Sequence, residues 1–316
     1  MKPYLLILIP LTDDSRATID ASLSERFEIL YAPTRNERTE AVERHGAGVQ
    51  IVLTNGSTGL TGDEIAKMPS LEFISALGAG YEHIAVDAAQ PRGIVVVNGA
   101  GTNADCVADH AFALLLAAVR EIPRLDRVAR EGVWRDGLKE QPQIAGKRLG
   151  VVGLGHIGRK VARRAAGFDM ETGYHNRKPK PDTTSRYFDS VLALAEWSDA
   201  LVVATPGGAA THHLIDAGVL AALGPKGYLV NVSRGSVVDT AALVDALERG
   251  AIAGAGIDVF EEEPPPVDLP LLHLDNVVVT PHIGGRSPDA IAASVRHFIE
   301  NLTRHLNGDA VLTPVG

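Results

Sequence analysis

Gly153-Leu154-Gly155-His156-Ile157-Gly158 decides how this chain is read. Before it stands Lys147-Arg148-Leu149-Gly150-Val151-Val152, a short run that is mostly apolar, as in a buried strand. After it, Arg159-Lys160-Val161-Ala162-Arg163-Arg164-Ala165-Ala166 is helical in composition. Strand, glycine turn and helix in that order form the context in which a GxGxxG fingerprint binds a dinucleotide. The first glycine permits the tight turn, the second lets backbone approach a pyrophosphate, and the third lets helix pack on strand. The helix start then offers N–H groups and a partial positive charge to the phosphates. Gly153, Leu154, Gly155, His156, Ile157 and Gly158 are therefore the first cofactor-binding candidates.

Working outward, apolar runs of strand length recur along the chain. In the first third they are Leu5–Ile9, Ile51–Leu53, Phe73–Ser75 and Val95–Val97, separated by helix-like or turn-rich stretches. A long Ala/Leu-rich helix is expected from about Ala104 to Arg120. Six further strands are expected at Leu149–Val152, Met170–Tyr174, Ala200–Val203, Tyr228–Asn231, Ala255–Asp258 and Val277–Val279. A final helix, near Asp289 to Leu306, has no strand after it and is free to return to the first domain. The fold class is α/β, with two doubly wound parallel sheets. No short-period repeat or low-complexity tract is visible, and Pro264-Pro265-Pro266 is a local loop.

Composition narrows the function. At 316 residues and 45% hydrophobic content the chain can bury two cores. A net charge of −9 without a clustered Lys/Arg stripe argues against nucleic acid and anionic membrane as partners. The apolar opening from Tyr4 to Pro10 is short and runs into Asp13-Asp14, so it reads as a first strand rather than a signal peptide or a membrane span. One cysteine, Cys106, cannot form an internal disulfide, and no Cys/His group has zinc spacing. A cytoplasmic, metal-free protein acting on a small molecule is expected.

Cofactor choice is read about twenty residues past the fingerprint, where a carboxylate would bond the adenosine ribose and a cation would accept a 2′-phosphate. The stretch is Tyr174-His175-Asn176-Arg177-Lys178. Asn176 can bond ribose or phosphate without repelling either, and Arg177 with Lys178 supplies two cations, so NADP(H) is preferred and NAD(H) is possible. Three later residues suit the reduction of a 2-oxo acid, which needs a proton donor for the carbonyl oxygen and a cation for the carboxylate. His282 can donate the proton. Glu263 can orient and tune that imidazole, since a carboxylate on one ring nitrogen favours the protonated form. Arg234 offers a planar fork that clamps a carboxylate with paired hydrogen bonds. Each follows an expected strand, at the sheet edge where open α/β folds bind ligands.

Seven segments together resemble the D-isomer-specific 2-hydroxyacid dehydrogenase family over nearly the whole chain. They are Gly78 to Ile84, Val107-Ala108-Asp109-His110, Gly153 to Gly158, Asn231 to Gly235, Gly254 to Phe260, Glu263-Pro264 and Thr280 to Gly284. Asn176 to Lys178 and Thr54 to Leu60 look most like its NADPH-dependent glyoxylate/hydroxypyruvate reductase branch.

The resemblance implies a Rossmann cofactor domain, residues 100–286, inserted into a flavodoxin-like substrate domain made of 1–99 and 287–316. It implies that Arg234, Glu263 and His282 are catalytic, with Arg234 and His282 also touching substrate. Asp258 would contact the nicotinamide carboxamide, Thr205 and Pro206 would line the cofactor, and Val107 would approach the nicotinamide ring. Backbone N–H groups of Ala79 and Gly80 would hold the substrate carboxylate, and Gly56 and Trp134 would border the same substrate. Family members are typically dimers, so a homodimer with an arm from Pro123 to Ala145 is expected. Glu263 argues against the formate-oxidising branch, and the long form of phosphoglycerate dehydrogenase is not expected. The rival reading is a nucleotide-sensing corepressor of the same fold, which would bind cofactor but turn over little.

Overall fold

A strand that is apolar at every position is stable only when both its faces are covered, because successive side chains point to opposite sides. The computed structural model, which describes residues 2–315, meets that demand twice. The chain divides into two compact units, residues 1–103 with 286–316, and residues 104–285.

The first unit holds β1 (Tyr4–Ile7), β2 (Glu28–Tyr31), β3 (Val49–Thr54), β4 (Phe73–Ala76) and β5 (Val95–Val97), all parallel, in the order β2-β1-β3-β4-β5. This is the flavodoxin-like order. Leu5, Ile7, Ile51, Leu53 and Phe73 pack on one face with Ile19, Leu23, Val295, Phe298 and Leu302. Leu6, Val52, Ile74 and Val96 pack on the other with Val42, Ile65 and Met68. The helix Pro288–Asn307 thus belongs to the core of the first unit. It starts at Ser287, whose side chain accepts the Ala290 N–H, with proline at its first position, and ends at left-handed Gly308.

The second unit holds β6 (Arg148–Val152), β7 (Glu171–His175), β8 (Arg186–Phe188), β9 (Ala200–Val203), β10 (Tyr228–Asn231), β11 (Gly254–Ile257) and β12 (Val277–Val279). Their order is β12-β11-β10-β9-β6-β7-β8, again all parallel. It is the dinucleotide-fold order with one strand added beside β11, and it reverses direction between β6 and β9. Helices Ala104–Val119 and His156–Ala165 cover one face, and Val191–Trp197, Ala217–Leu223 and Thr240–Glu248 the other.

Two strands lie outside the sequence expectation, β2 and β8. Both are edge strands that open on a charged residue, β2 as Glu-Ile-Leu-Tyr and β8 as Arg-Tyr-Phe, each with partly exposed side chains. β7 and β11 are each displaced by one residue from the expected spans.

Phe298 is 1% exposed beneath the first sheet, so Phe298→Ala should destabilise that unit by about 3–5 kcal/mol. Urea unfolding followed by a probe in each unit checks this. An unchanged first transition would remove the C-terminal helix from that core.

Candidate functional site

Strand ends bring the sequence candidates of the second unit into one row. Val152 pairs with Val203, Val203 with Asn231, Asn231 with Ile257 and Ile257 with Val279. The residue after each strand continues the ladder: Ala204 N–H donates to Val152 O, Val232 to Val203 O, Asp258 to Asn231 O and Thr280 to Ile257 O. The loops that leave this edge carry Gly153, Thr205-Pro206, Arg234, Glu263 and His282.

At the turn in sheet order, Gly153 has φ +96°, where an L side chain is disfavoured. A Cβ there would also come within 2.9 Å of the Ala204 carbonyl. A Cβ on Gly158 would strike the Gly153 carbonyl oxygen, so helix His156–Ala165 sits against the turn. Gly155 differs. Nothing lies within 4 Å of its hypothetical Cβ, and it precedes a helix start that no side chain caps. Open space before uncapped N–H groups fits a pyrophosphate. Leu154 is fully buried, while His156 is exposed and Ile157 half-buried. Asn176 Oδ1 accepts the Leu154 N–H at 2.7 Å and so closes the glycine turn. Arg177 and Lys178 follow on an exposed bend, and neither has a carboxylate partner among the described residues. These groups fit an adenine dinucleotide with a phosphate near the cations.

After β9, Thr205 is half-buried and Pro206 exposed, and the Pro206 carbonyl accepts the Thr211 hydroxyl at 2.8 Å. After β10, buried Asn231 shapes the turn that presents Arg234. Its Oδ1 accepts from Ser233 N–H at 3.0 Å and Ser233 Oγ at 2.7 Å, and its Nδ2 donates to Arg234 O at 3.0 Å. Arg234 Nη1 donates to Ser233 O at 2.7 Å, and the aliphatic stem runs past Gly207, whose Cβ would meet Arg234 Cγ at 2.9 Å. Val107, 5% exposed, sits in the core on helix Ala104–Val119.

Glu263 and His282, nineteen residues apart, meet with His282 Nδ1 2.6 Å from Glu263 Oε2. The other carboxylate oxygen of Glu263 accepts the Phe260 N–H at 3.0 Å, which fixes its direction. His282 has φ +51°, and its N–H bonds to Asp258 O at 2.8 Å and Thr280 O at 3.1 Å. The ring therefore presents Nε2 away from Glu263.

Asp258 is the residue that holds this loop. It is 2% exposed, and Oδ1 accepts from Thr280 Oγ1 at 2.6 Å and Ile283 N–H at 3.0 Å, while Oδ2 accepts from Gly284 N–H at 2.9 Å. His110 Nε2 lies 3.3 Å from Oδ1 and 2.9 Å from Thr280 Oγ1. Burial pushes the Asp258 carboxyl up, but these donors outweigh it and hold the group at about 2. His110, within the quoted Val107–His110 segment, received no role from the sequence; only its place opposite Asp258 reveals one.

Gly56, Ala79 and Gly80 lie in the first unit, on loops after β3 and β4. There the loops touch: a Cβ on Gly56 would fall 2.7 Å from the Gly80 carbonyl carbon. Gly78 O and Ala79 O accept from Gly99 N–H at 2.8 Å and Asn98 Nδ2 at 2.7 Å, which anchors the Gly78–Gly80 turn through its carbonyls. Trp134, in the second unit, is 74% exposed.

Asp258 also sets an acid limit. Its carboxyl is held at about 2 against an ordinary 3.8, so its contribution is complete above about pH 4 and is lost as pH falls through about 2. The shift corresponds to roughly 2 kcal/mol. Asp258→Asn should lower stability at neutral pH by about that amount and flatten the acid limb between pH 4 and 2, followed by thermal melts across pH. An unchanged acid limb would mean the loop is held some other way.

Residues 112–284 match the model for the D-isomer specific 2-hydroxyacid dehydrogenase, NAD binding domain. The chain is 37% identical over 298 residues to glyoxylate/hydroxypyruvate reductase A of Arabidopsis thaliana, covering 94% of this chain and 95% of that protein. Identity and coverage are the same for hydroxyphenylpyruvate reductase of Plectranthus scutellarioides. Among solved structures, the NADPH-dependent glyoxylate/hydroxypyruvate reductase of Sinorhizobium meliloti, in complex with NADP and malonate, superposes with a TM-score of 0.86. It is 35% identical, with 100% of this chain and 97% of that one covered. Among the described residues no helix is long and apolar enough to cross a membrane. The chain belongs to the D-isomer-specific 2-hydroxyacid dehydrogenase family and is an oxidoreductase of that family.

Proposed function

We propose that this protein reduces a small 2-oxo acid, of the glyoxylate, hydroxypyruvate or phenylpyruvate type, to the D-2-hydroxy acid. NADPH is the preferred reductant and NADH a possible one. The observation that carries the reading is the 2.6 Å bond from Glu263 to His282 Nδ1 on a loop held by Asp258. The named activities of the similar reductases support the substrate class, and the solved structure with NADP supports the cofactor.

When bound, reduced nicotinamide supplies the hydride. The protein's own part is proton delivery and charge. Glu263 holds the imidazole by Nδ1, so Nε2 gives its proton to the carbonyl oxygen as that oxygen becomes an alkoxide. Arg234, presented by the Asn231 turn, binds the carboxylate and stabilises the developing charge. Backbone N–H groups of Ala79 and Gly80 add donors to the substrate carboxylate, and Gly56, pressed against Gly80, shapes that turn. On this reading the unit formed by 1–103 and 286–316 is the substrate-binding unit. Asp258, which the resemblance sets beside the nicotinamide carboxamide, has the second task of positioning His282. Val107, Thr205 and Pro206 line the cofactor, and Gly153 to Gly158 with Asn176 bind its phosphates and ribose. A homodimer through 123–145 is supported by the exposure of Val133 and Trp134.

The deciding assay follows loss of reduced-nicotinamide absorbance with NADPH and NADH against glyoxylate, hydroxypyruvate and phenylpyruvate. Turnover with NADPH is expected, and cofactor binding without turnover of any 2-oxo acid would overturn the reading. His282→Ala should lose on the order of 10²-fold or more in kcat. Arg234→Gln should raise KM and lower kcat, as befits a carboxylate clamp. Full activity in either variant removes that residue from the reaction.

Replacing Arg177 and Lys178 together with Gln should weaken NADPH far more than NADH, measured as separate Kd values. Equal weakening would show that these cations act on any anion alike.

A further inference from the structure

A second group of imidazole and carboxylate side chains lies in the same unit, outside the proposed reaction. Beyond Pro206 the chain passes through the turn Ala209–Thr211 to His212 and His213, and beyond β11 it reaches Glu261. His213 Nε2 lies 3.1 Å from Glu261 Oε2. The His212 and His213 rings stack with centroids 3.9 Å apart at 27°. One ligand atom from each of His212, His213 and Glu261 lies within 4.8 Å of the others.

Nitrogen and oxygen ligands about 2.0–2.1 Å from a tetrahedral zinc ion stand roughly 3.3 Å apart. The His213–Glu261 pair already has that spacing, and exposed His212 can close the remaining distance by rotating its side chain. The cluster also has a supporting layer. On the far side of the His213 ring, Nδ1 lies 3.8 Å from Asp239 Oδ2, where metal-bound imidazoles commonly carry an orienting carboxylate. Asp239 is anchored by its cap on helix Thr240–Glu248, with Oδ1 accepting the Ala242 N–H at 3.0 Å. Glu261 is anchored by Oε1, which accepts the Thr240 N–H at 3.0 Å and leaves Oε2 on the histidine side. His213 is pinned by its own N–H to Ser236 O at 2.8 Å and holds φ +50°.

We propose that His212, His213 and Glu261 bind one divalent transition-metal ion of the zinc type, with water completing the coordination. Two imidazoles and one carboxylate suit zinc, copper or nickel rather than magnesium or calcium, which take oxygen ligands. An ion here cross-links the segment after β9, which carries Thr205-Pro206, to the turn after β11, where Glu261 stands two residues before Glu263. Glu261 lies 48 residues from His213, so no sequence spacing joins the two.

The test uses the untagged full chain, stripped with a chelator. Zn(II) is titrated against a chromogenic chelator, and Co(II) absorption reports the geometry. One equivalent of Zn(II) per chain is expected, with a tetrahedral Co(II) spectrum. His212→Ala and Glu261→Gln should each weaken binding on the order of tenfold or more. Their melting temperatures and metal-free turnover should stay near the parent values, which separates lost ligation from lost folding. His282→Ala is the control, because His282 with Glu263 is another imidazole–carboxylate pair in this unit. Binding retained in His282→Ala and lost in His212→Ala and Glu261→Gln supports the site. Binding lost only in His282→Ala assigns the ion to that pair and overturns the proposal, as does the absence of stoichiometric Zn(II) binding.

Discussion

When a parallel strand ends beside its neighbours' ends, the next backbone N–H still finds the neighbour's last carbonyl. That constraint runs across the second sheet from Ala204 through Val232 and Asp258 to Thr280. Five strands stop together, so five loops leave from one edge and carry residues as far apart in the chain as Gly153 and His282. The reversal of strand order between β6 and β9 opens room for a ligand at that edge, and Gly153 lies against Ala204 at this point.

Asp258 gives one loop on the shared edge a defined geometry. A buried carboxylate without donors would be costly, and here the donors come from the loop it organises. Ile283 and Gly284 turn their N–H groups inward to it, Thr280 adds its hydroxyl and His110 adds an imidazole from a helix. The loop adopts the left-handed conformation at His282 that aims the ring at Glu263. Removing the charge would weaken the bonds from these inward-facing donors, so the expected acid lability and the placement of the proposed proton donor share one cause.

Much of this was legible beforehand, for reasons that differ from residue to residue. Buried strands such as Leu5–Ile9 and Ala200–Val203 announce themselves because both faces must be apolar. Gly153 and Gly158 are legible because only glycine tolerates the turn and the close helix approach. β2 and β8 were not legible, since an edge strand is half-solvated and needs no continuous apolar run. Asn176 was read as a ribose or phosphate contact, and the structure adds its bond to the Leu154 N–H, which depends on β6 and β7 being neighbours.

By itself the amino-acid sequence determined the α/β class, the two doubly wound sheets and the position of the glycine turn, and it singled out the side chains proposed here as proton donor, its carboxylate and the clamp. Those follow from local physics: periodicity, backbone freedom and the functional groups that a reduction needs. Only the tertiary structure decided which distant groups touch. Glu263 on His282, His110 on Asp258, and Glu261 beside His212 and His213 are all contacts between loops or helices that parallel pairing brings together. No local preference encodes such pairs, because their energies arise only once strand order and register have set the ends of β9, β10, β11 and β12 in one row.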